Sequence, residues 1–162
     1  MINNLPLELE VQGTKVNLEA DLAISTENIN QAFMEQSAKF AYWATLAAQA
    51  KSLVEQKKLE VDKQDDYMRK TLIGELDSKV REDLDNEGIK ITESKVQARI
   101  YASPQYKVEA ETLSRLKQEL VELQKQLYLM DVAKESMEQR KDMLVSLGAM
   151  IRANVTSDLV IK

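Results

Sequence analysis

Hydrophobic and polar residues alternate with a period of two along the first part of the chain. The alternation covers residues 5–11 and resumes over residues 16–24, with Gly13-Thr14 between the two runs. This period is typical of β-strands with one buried face, and the glycine favours a turn between them. We therefore predict a β-hairpin arm over residues 1–26, with a partly ordered arm as the alternative. Because a lone hairpin is marginal in water, the arm should pack on a helix or pair with another subunit.

The period changes to that of a helix after the arm. Ser25 or Thr26 can cap a long amphipathic helix that runs from residue 27 to about residue 85. The polar run at residues 62–66 predicts a bend or short break, and Gly88 supplies a left-handed cap after the helix. The seven-residue spacing that defines the helix is carried by Phe33, Phe40, Ala47, Val54, Val61 and Met68.

Two further helices follow. Thr92 can cap a short helix from residue 93 to 102, and Ser103 can cap a third helix that begins at Pro104 and continues to about residue 153. The third helix has a seven-residue repeat, whose second seam shifts by one residue after its first three heptads. Its partner is either the first long helix, antiparallel, or another subunit. The repeat consists of Leu116, Leu123, Met130, Met137, Leu144 and Ile151.

These patterns predict a mainly α fold. The expected architecture is a long, coiled-coil-like antiparallel helical hairpin with a short connecting helix and an N-terminal β-hairpin. The predicted divisions are the arm at residues 1–26, the helical hairpin domain at 27–155 and a C-terminal tail at 156–162.

Composition restricts the chemistry of the chain. It has 162 residues, with no Cys and no His. Disulfides, thiolate or histidine metal sites, and catalysis by a Cys nucleophile or an imidazole are therefore excluded. The four glycines lie too far apart to form a phosphate loop. We expect no enzyme, no metal and no cofactor. With no signal peptide and no membrane span visible in the sequence, we expect a cytoplasmic protein.

Basic residues are concentrated in the second half of the chain. The net charge is −5, yet residues 90–162 carry twelve bases and ten acids. One interpretation is an ordinary charged helix surface with ion pairs between residues four apart. The other is a surface that contacts the phosphates of a nucleic acid, repeated around an oligomer.

Trp43 and Arg140 each allow two interpretations. Trp43 is expected in the core, and the alternative is an exposed ring that stacks on a base. Arg140 replaces an apolar residue in the seam of the third helix. We expect its stem to pack while its head group reaches water; the alternative is a buried arginine with an acidic partner or a bound phosphate.

Three segments together resemble small phage proteins of the UvsY-like recombination mediator family. The first, residues 88–98, matches a G-x-K-x-T-E-x-x-x-x-A pattern, and Ser103-Pro104-Gln105-Tyr106 is similar to a D-P-x-Y helix start. The third, residues 133–149, resembles an ending of the form A-x-x-x-x-E-x-R-x-x-M-L-x-x-L-G-A. The resemblance covers roughly residues 35–153.

The resemblance implies a homo-oligomeric, ring-forming helical protein that binds single-stranded DNA. Such proteins act with a single-strand binding protein and help to load a RecA-type recombinase, in the cytoplasm of the host cell. The alternative is a phage scaffold, assembly chaperone or coiled-coil adaptor that binds no DNA. The positions that match the family's DNA-contacting basic residues are Lys57, Lys58, Arg69, Lys70, Arg140 and Lys141.

Overall fold

The protein is mainly α, as its sequence predicts. The computed structural model describes residues 8–11, 14–24 and 26–160. In chain order, the structure contains β1 (Glu8–Val11), β2 (Thr14–Asn17), α1 (Leu18–Leu22), a 3₁₀ turn (Thr26–Asn28), α2 (Ile29–Tyr67), a π-helical turn (Met68–Leu72), α3 (Ile73–Asn86), α4 (Glu93–Ala102) and α5 (Pro104–Val160). The predicted short connecting helix is α4.

The arm is a hairpin followed by a short helix. β1 and β2 pair antiparallel, with Leu9 opposite Val16. The prediction that the second strand continues to residue 24 is wrong, because α1 begins at Leu18. The Asn17 side chain accepts a hydrogen bond of 2.9 Å from the backbone N–H of Ala20 and so caps this helix. Residues 1–7, the predicted turn at 12–13 and Ser25 lie outside the described residues.

The described chain divides into two compact units, within residues 1–51 plus 125–162 and within residues 52–124. We call them the terminal unit and the middle unit. In the terminal unit, the arm packs on the helices, since Val16 and Leu18 share one buried cluster with Trp43. Val16 and Leu18 of the arm are thus buried within their own chain, and the core interpretation of Trp43 is confirmed.

Within the terminal unit, α2 and α5 contact each other in reversed order. A Cβ atom on Gly148 would lie 3.3 Å from the ring of Phe33, and Gln36 Nε2 donates a 2.7 Å hydrogen bond to the carbonyl oxygen of Met137. This order is compatible with the antiparallel hairpin. The buried positions of α5 follow the predicted seam and its one-residue shift: Met130, Ala133, Met137, Arg140 and Leu144.

The first long helix of the sequence has its irregularity later than predicted. The helix continues through residues 62–66, where a break was expected, and a π-helical turn occupies Met68–Leu72. Before the π turn, the buried residues follow steps of three, four and seven, as on an α-helix with one buried face. From Met68 to Leu84 they are four apart. A π turn contains one extra residue and so rotates the buried face of the following helix once.

Turn and cap residues close the middle unit as expected, with one difference. Gly88 has φ of 67° and ends α3 in the left-handed region. Ser103 Oγ accepts a 3.2 Å hydrogen bond from the Tyr106 N–H at the start of α5. Thr92 occupies the N-cap position of α4, but its side chain makes no cap hydrogen bond. Instead, α4 is tied to α3 by the ion pair of Arg81 with Glu93.

The segment predicted as a tail continues α5. The helix extends to Val160, so residue 155 is not an element boundary. Residues 161 and 162 lie outside the described part of the chain.

Candidate nucleic-acid interface

Lys57 and Lys58 lie side by side on α2 in the middle unit. Lys57 Nζ lies 2.6 Å from a carboxylate oxygen of Glu60 and 3.0 Å from one of Glu119 on α5. The hydrogen bond to Glu60, followed by that to Glu119, raises the pKa of Lys57, and Lys57 lowers the pKa of Glu119. Lys58 pairs with Glu55 at 2.9 Å. Lys57 therefore joins two helices, whereas Lys58 has a partner only on its own helix.

Arg69 and Lys70 lie on the π-helical turn and point to solvent. Their side chains are 72% and 73% exposed, respectively. Arg69 pairs with Asp65 and Lys70 with Asp66, each at 2.8 Å and each with the acid four residues earlier. Exposed pairs of this kind contribute little to stability and are screened by salt. A phosphate can therefore replace the carboxylate at little cost.

Arg140 and Lys141 belong to the terminal unit, and their surroundings differ. Arg140 is only 2% exposed, so the interpretation that its head group reaches water is wrong. Its guanidinium donates to the side-chain oxygen of Gln36 and, at 3.2 Å, to the carbonyl oxygen of Ala23. Lys141 is exposed, and its Nζ lies 3.5 Å from the carboxylate oxygen Oδ1 of Asp142. Only Lys141 of this pair is accessible to a ligand in this conformation.

Six exposed lysines of the middle unit have no carboxylate partner among the described residues, and the predicted site omits them. An ammonium group without a carboxylate partner can bind a phosphate without displacing another charge. For Lys117, the lack of an ion-pair partner on its own helix is visible in the sequence, because no acid lies three or four positions away on either side. The six are Lys63, Lys79, Lys90, Lys95, Lys107 and Lys117.

The predicted basic residues of the middle unit are thus paired with acids, and the unpaired lysines are spread over several helices of a unit in which acids outnumber bases. A depression of about 630 Å³ beside Lys57 is lined by both bases and acids, including Arg115 and Glu122, so it is not a concentrated positive pocket. Within residues 8–11, 14–24 and 26–160, no group of three or more acidic residues could hold a metal ion. No helix in the described part of the chain is long and apolar enough to cross a membrane.

Comparisons of the chain with models of protein families, with curated proteins and with solved structures find no match.

Proposed function

We propose that the protein is an oligomeric single-stranded DNA-binding recombination mediator of the UvsY-like type. In this role it helps to load a RecA-type recombinase onto DNA that is covered by single-strand binding protein. The observation that carries the proposal is the three-part resemblance over residues 35–153.

The residues that carry the resemblance also occupy defined places in the fold. Gly88 forms the left-handed turn after α3, and Ser103 caps α5. Ala133 and Arg140, from the third segment, are buried in the terminal unit. These residue types are therefore explained by folding. This supports a resemblance at the level of architecture, and we propose that exposed bases elsewhere contact the DNA.

The proposed DNA contacts on the middle unit are its exposed bases. Lys141 is a separate proposed contact on the terminal unit. Arg69 and Lys70 exchange their weakly held carboxylate partners for DNA phosphates. Lysines such as Lys117 bind a phosphate without first losing a carboxylate partner. Because these contacts reach only the backbone of the DNA, we expect no base-sequence specificity. Repetition around an oligomer multiplies weak contacts into a stable complex.

Exposed apolar side chains of the terminal unit provide a surface for self-association. Large apolar residues exposed together on a protein often mark an interaction site. In the proposed mechanism, DNA that wraps on the oligomer leaves its binding protein and is presented to the recombinase. The exposed residues are Phe33, Met34, Met143, Met150 and Ile151.

The test is fluorescence anisotropy of a labelled poly-dT oligonucleotide at about 50 mM and 200 mM salt, with the protein's size measured by light scattering. If four phosphates are contacted, the slope of about 0.7 per contact predicts roughly 50-fold weaker binding at the higher salt. Lys117→Glu should weaken binding and reduce the salt slope. Lys15→Glu, an equal charge change on the exposed surface of the arm, is the matched control. Absence of binding at the lower salt excludes DNA binding by the protein alone.

The second candidate is a scaffold or adaptor that binds only proteins. One observation favours it: Lys57, Lys58, Arg69 and Lys70 all have carboxylate partners within the chain. Absence of DNA binding together with a stable oligomer in light scattering would select this candidate.

A further inference from the structure

The arm covers the two residues of the terminal unit that are best suited to bind single-stranded nucleic acid. Trp43 can stack on a base and Arg140 can bind a phosphate, yet they are 0% and 2% exposed, respectively. Leu18 of the arm belongs to the same buried cluster as Trp43, and Ala23 contacts Arg140 directly.

Arg140 is buried without a directly paired carboxylate. Glu35 is the acid within range of its charge: the pKa of Glu35 is lowered first by a hydrogen bond from Gln31, then by Lys39 and by the charge of Arg140. Arg140 makes no ion pair with any carboxylate of the described residues, and its Nε is buried without a hydrogen-bond partner. Its other nitrogens bind only neutral oxygens, those of Gln36 and Ala23. A desolvated cation with incomplete hydrogen bonding is costly, and an anionic oxygen would satisfy it better than a carbonyl group does.

The arm places acidic and carbonyl oxygens along this surface. The Asp21 carboxylate accepts a 3.0 Å hydrogen bond from Trp43 Nε1 and lies 3.6 Å from Lys39 Nζ. Lys39 also contacts the backbone carbonyl oxygen of Asp21 at 3.4 Å. Residues 1–26, which include the arm, carry four acids and one base. Asp21 and Ala23 thus present oxygens to a row of donors on α2 and α5.

From these contacts, we propose that Lys39, Trp43 and Arg140 form a second single-stranded DNA site, which the N-terminal arm occupies as an internal mimic of the ligand. When the arm leaves, Lys39 and Arg140 bind phosphates and Trp43 stacks on a base. This inference rests on the proposed function. It adds a site on the terminal unit that is closed while the arm is docked.

Trp43 is the only tryptophan of the chain, so its fluorescence reports both arm release and base stacking. The release variant combines Leu18→Ser, which disrupts the buried arm contact, with Asp21→Asn. The Asp21→Asn single variant is a milder second test that keeps the buried leucine. Glu19→Gln is the matched control, because it removes the same charge from α1 at an exposed position whose side chain makes no hydrogen bond or ion pair with the described residues. Far-ultraviolet circular dichroism checks that each variant keeps its helices.

In the release variant, the fluorescence emission of Trp43 should shift to longer wavelength. The Trp43 ring should also be quenched more strongly by acrylamide. Poly-dT should bind about tenfold more tightly or better, since a docked arm leaves the open state in roughly a tenth of the molecules or fewer. The salt slope should steepen by about 1.4, from two additional cations at about 0.7 each. Bound poly-dT should also quench Trp43. Asp21→Asn should change all five readouts in the same direction, and Glu19→Gln should match the wild type.

The outcomes separate this inference from the proposed function. If the wild type binds DNA and the release variant binds no better although Trp43 is exposed, the second site is wrong and the proposed function stands. Unchanged Trp43 emission in the folded release variant would also overturn the inference, since the arm would not be separable. If only the release variant binds, the second site is supported. If neither binds at low salt, both proposals fail.

Discussion

Adding one methyl group at two glycines of the middle unit should have opposite effects on stability. At Gly74, in α3, a new Cβ atom would meet nothing within 4 Å. Gly74→Ala should therefore gain the full difference in helix propensity, about 1 kcal/mol. At Gly88, the backbone φ of 67° disfavours any side chain, and Gly88→Ala should cost about 1 kcal/mol or more.

The two variants are compared by urea unfolding followed by circular dichroism at one fixed protein concentration, because oligomerisation shifts apparent stability. Both glycines lie in the middle unit, so the two substitutions are compared within one compact unit. The predicted separation is about 2 kcal/mol with an unchanged dependence on urea. In thermal unfolding, Gly74→Ala should raise Tm by roughly 2–4 °C.

Two results would refute this reasoning. Stabilisation by Gly88→Ala would mean that the turn after α3 is not left-handed. Destabilisation by Gly74→Ala would mean that the helix face at Gly74 is covered, for example by a second copy of the chain. Light scattering on the same sample would show whether that substitution also disrupts an oligomer.

Three further predictions concern the core, pH and the buried arginine. Leu144→Ala should destabilise the protein by about 3 kcal/mol, because Leu144 is 0% exposed, whereas Val145→Ala, at an exposed position, should cost less than about 0.5 kcal/mol in the same urea titration. The hydrogen bond from Arg99 lowers the pKa of Glu87. The ionised Glu87 therefore stabilises the folded state at pH values above its ordinary pKa, and this stabilisation is lost as the pH falls through the lowered pKa. Glu87→Gln should therefore lower the urea midpoint near neutral pH and match the wild type once pH is below that value; a constant difference at all pH values would contradict the assignment. Gln36→Leu should cost about 2 kcal/mol because it removes one acceptor from a buried arginine, whereas Arg140→Met should cost less, and the reverse order in urea unfolding would contradict the account.

Most helices were predictable because their signals are local. Gly88 and the cap at Ser103 act within a few residues, and seven-residue spacing needs no knowledge of the partner helix. The predicted continuation of the second strand beyond Asn17 was wrong, because Leu18 and Leu22 fit both the two-residue alternation of a strand and the four-residue spacing of a helix. The side-chain cap of Asn17 decides for the helix.

The candidate site was predictable only where its contacts are local. Acids four residues before Arg69 and Lys70 are visible in the sequence, so their ion pairs could have been predicted. The burial of Arg140 could not, because its partners Gln36 and Ala23 lie more than 100 residues away along the chain. A seam arginine can snorkel or be enclosed, and only tertiary packing decides between the two.

The most direct test of the mediator proposal is the DNA-dependent ATPase of a RecA-type recombinase on single-stranded DNA covered by single-strand binding protein. The binding protein delays recombinase loading and so produces a lag in ATP hydrolysis. We predict that this protein shortens the lag on covered DNA and leaves the rate on bare DNA unchanged. An unchanged lag, at protein concentrations that saturate poly-dT in the anisotropy assay, would contradict the mediator function.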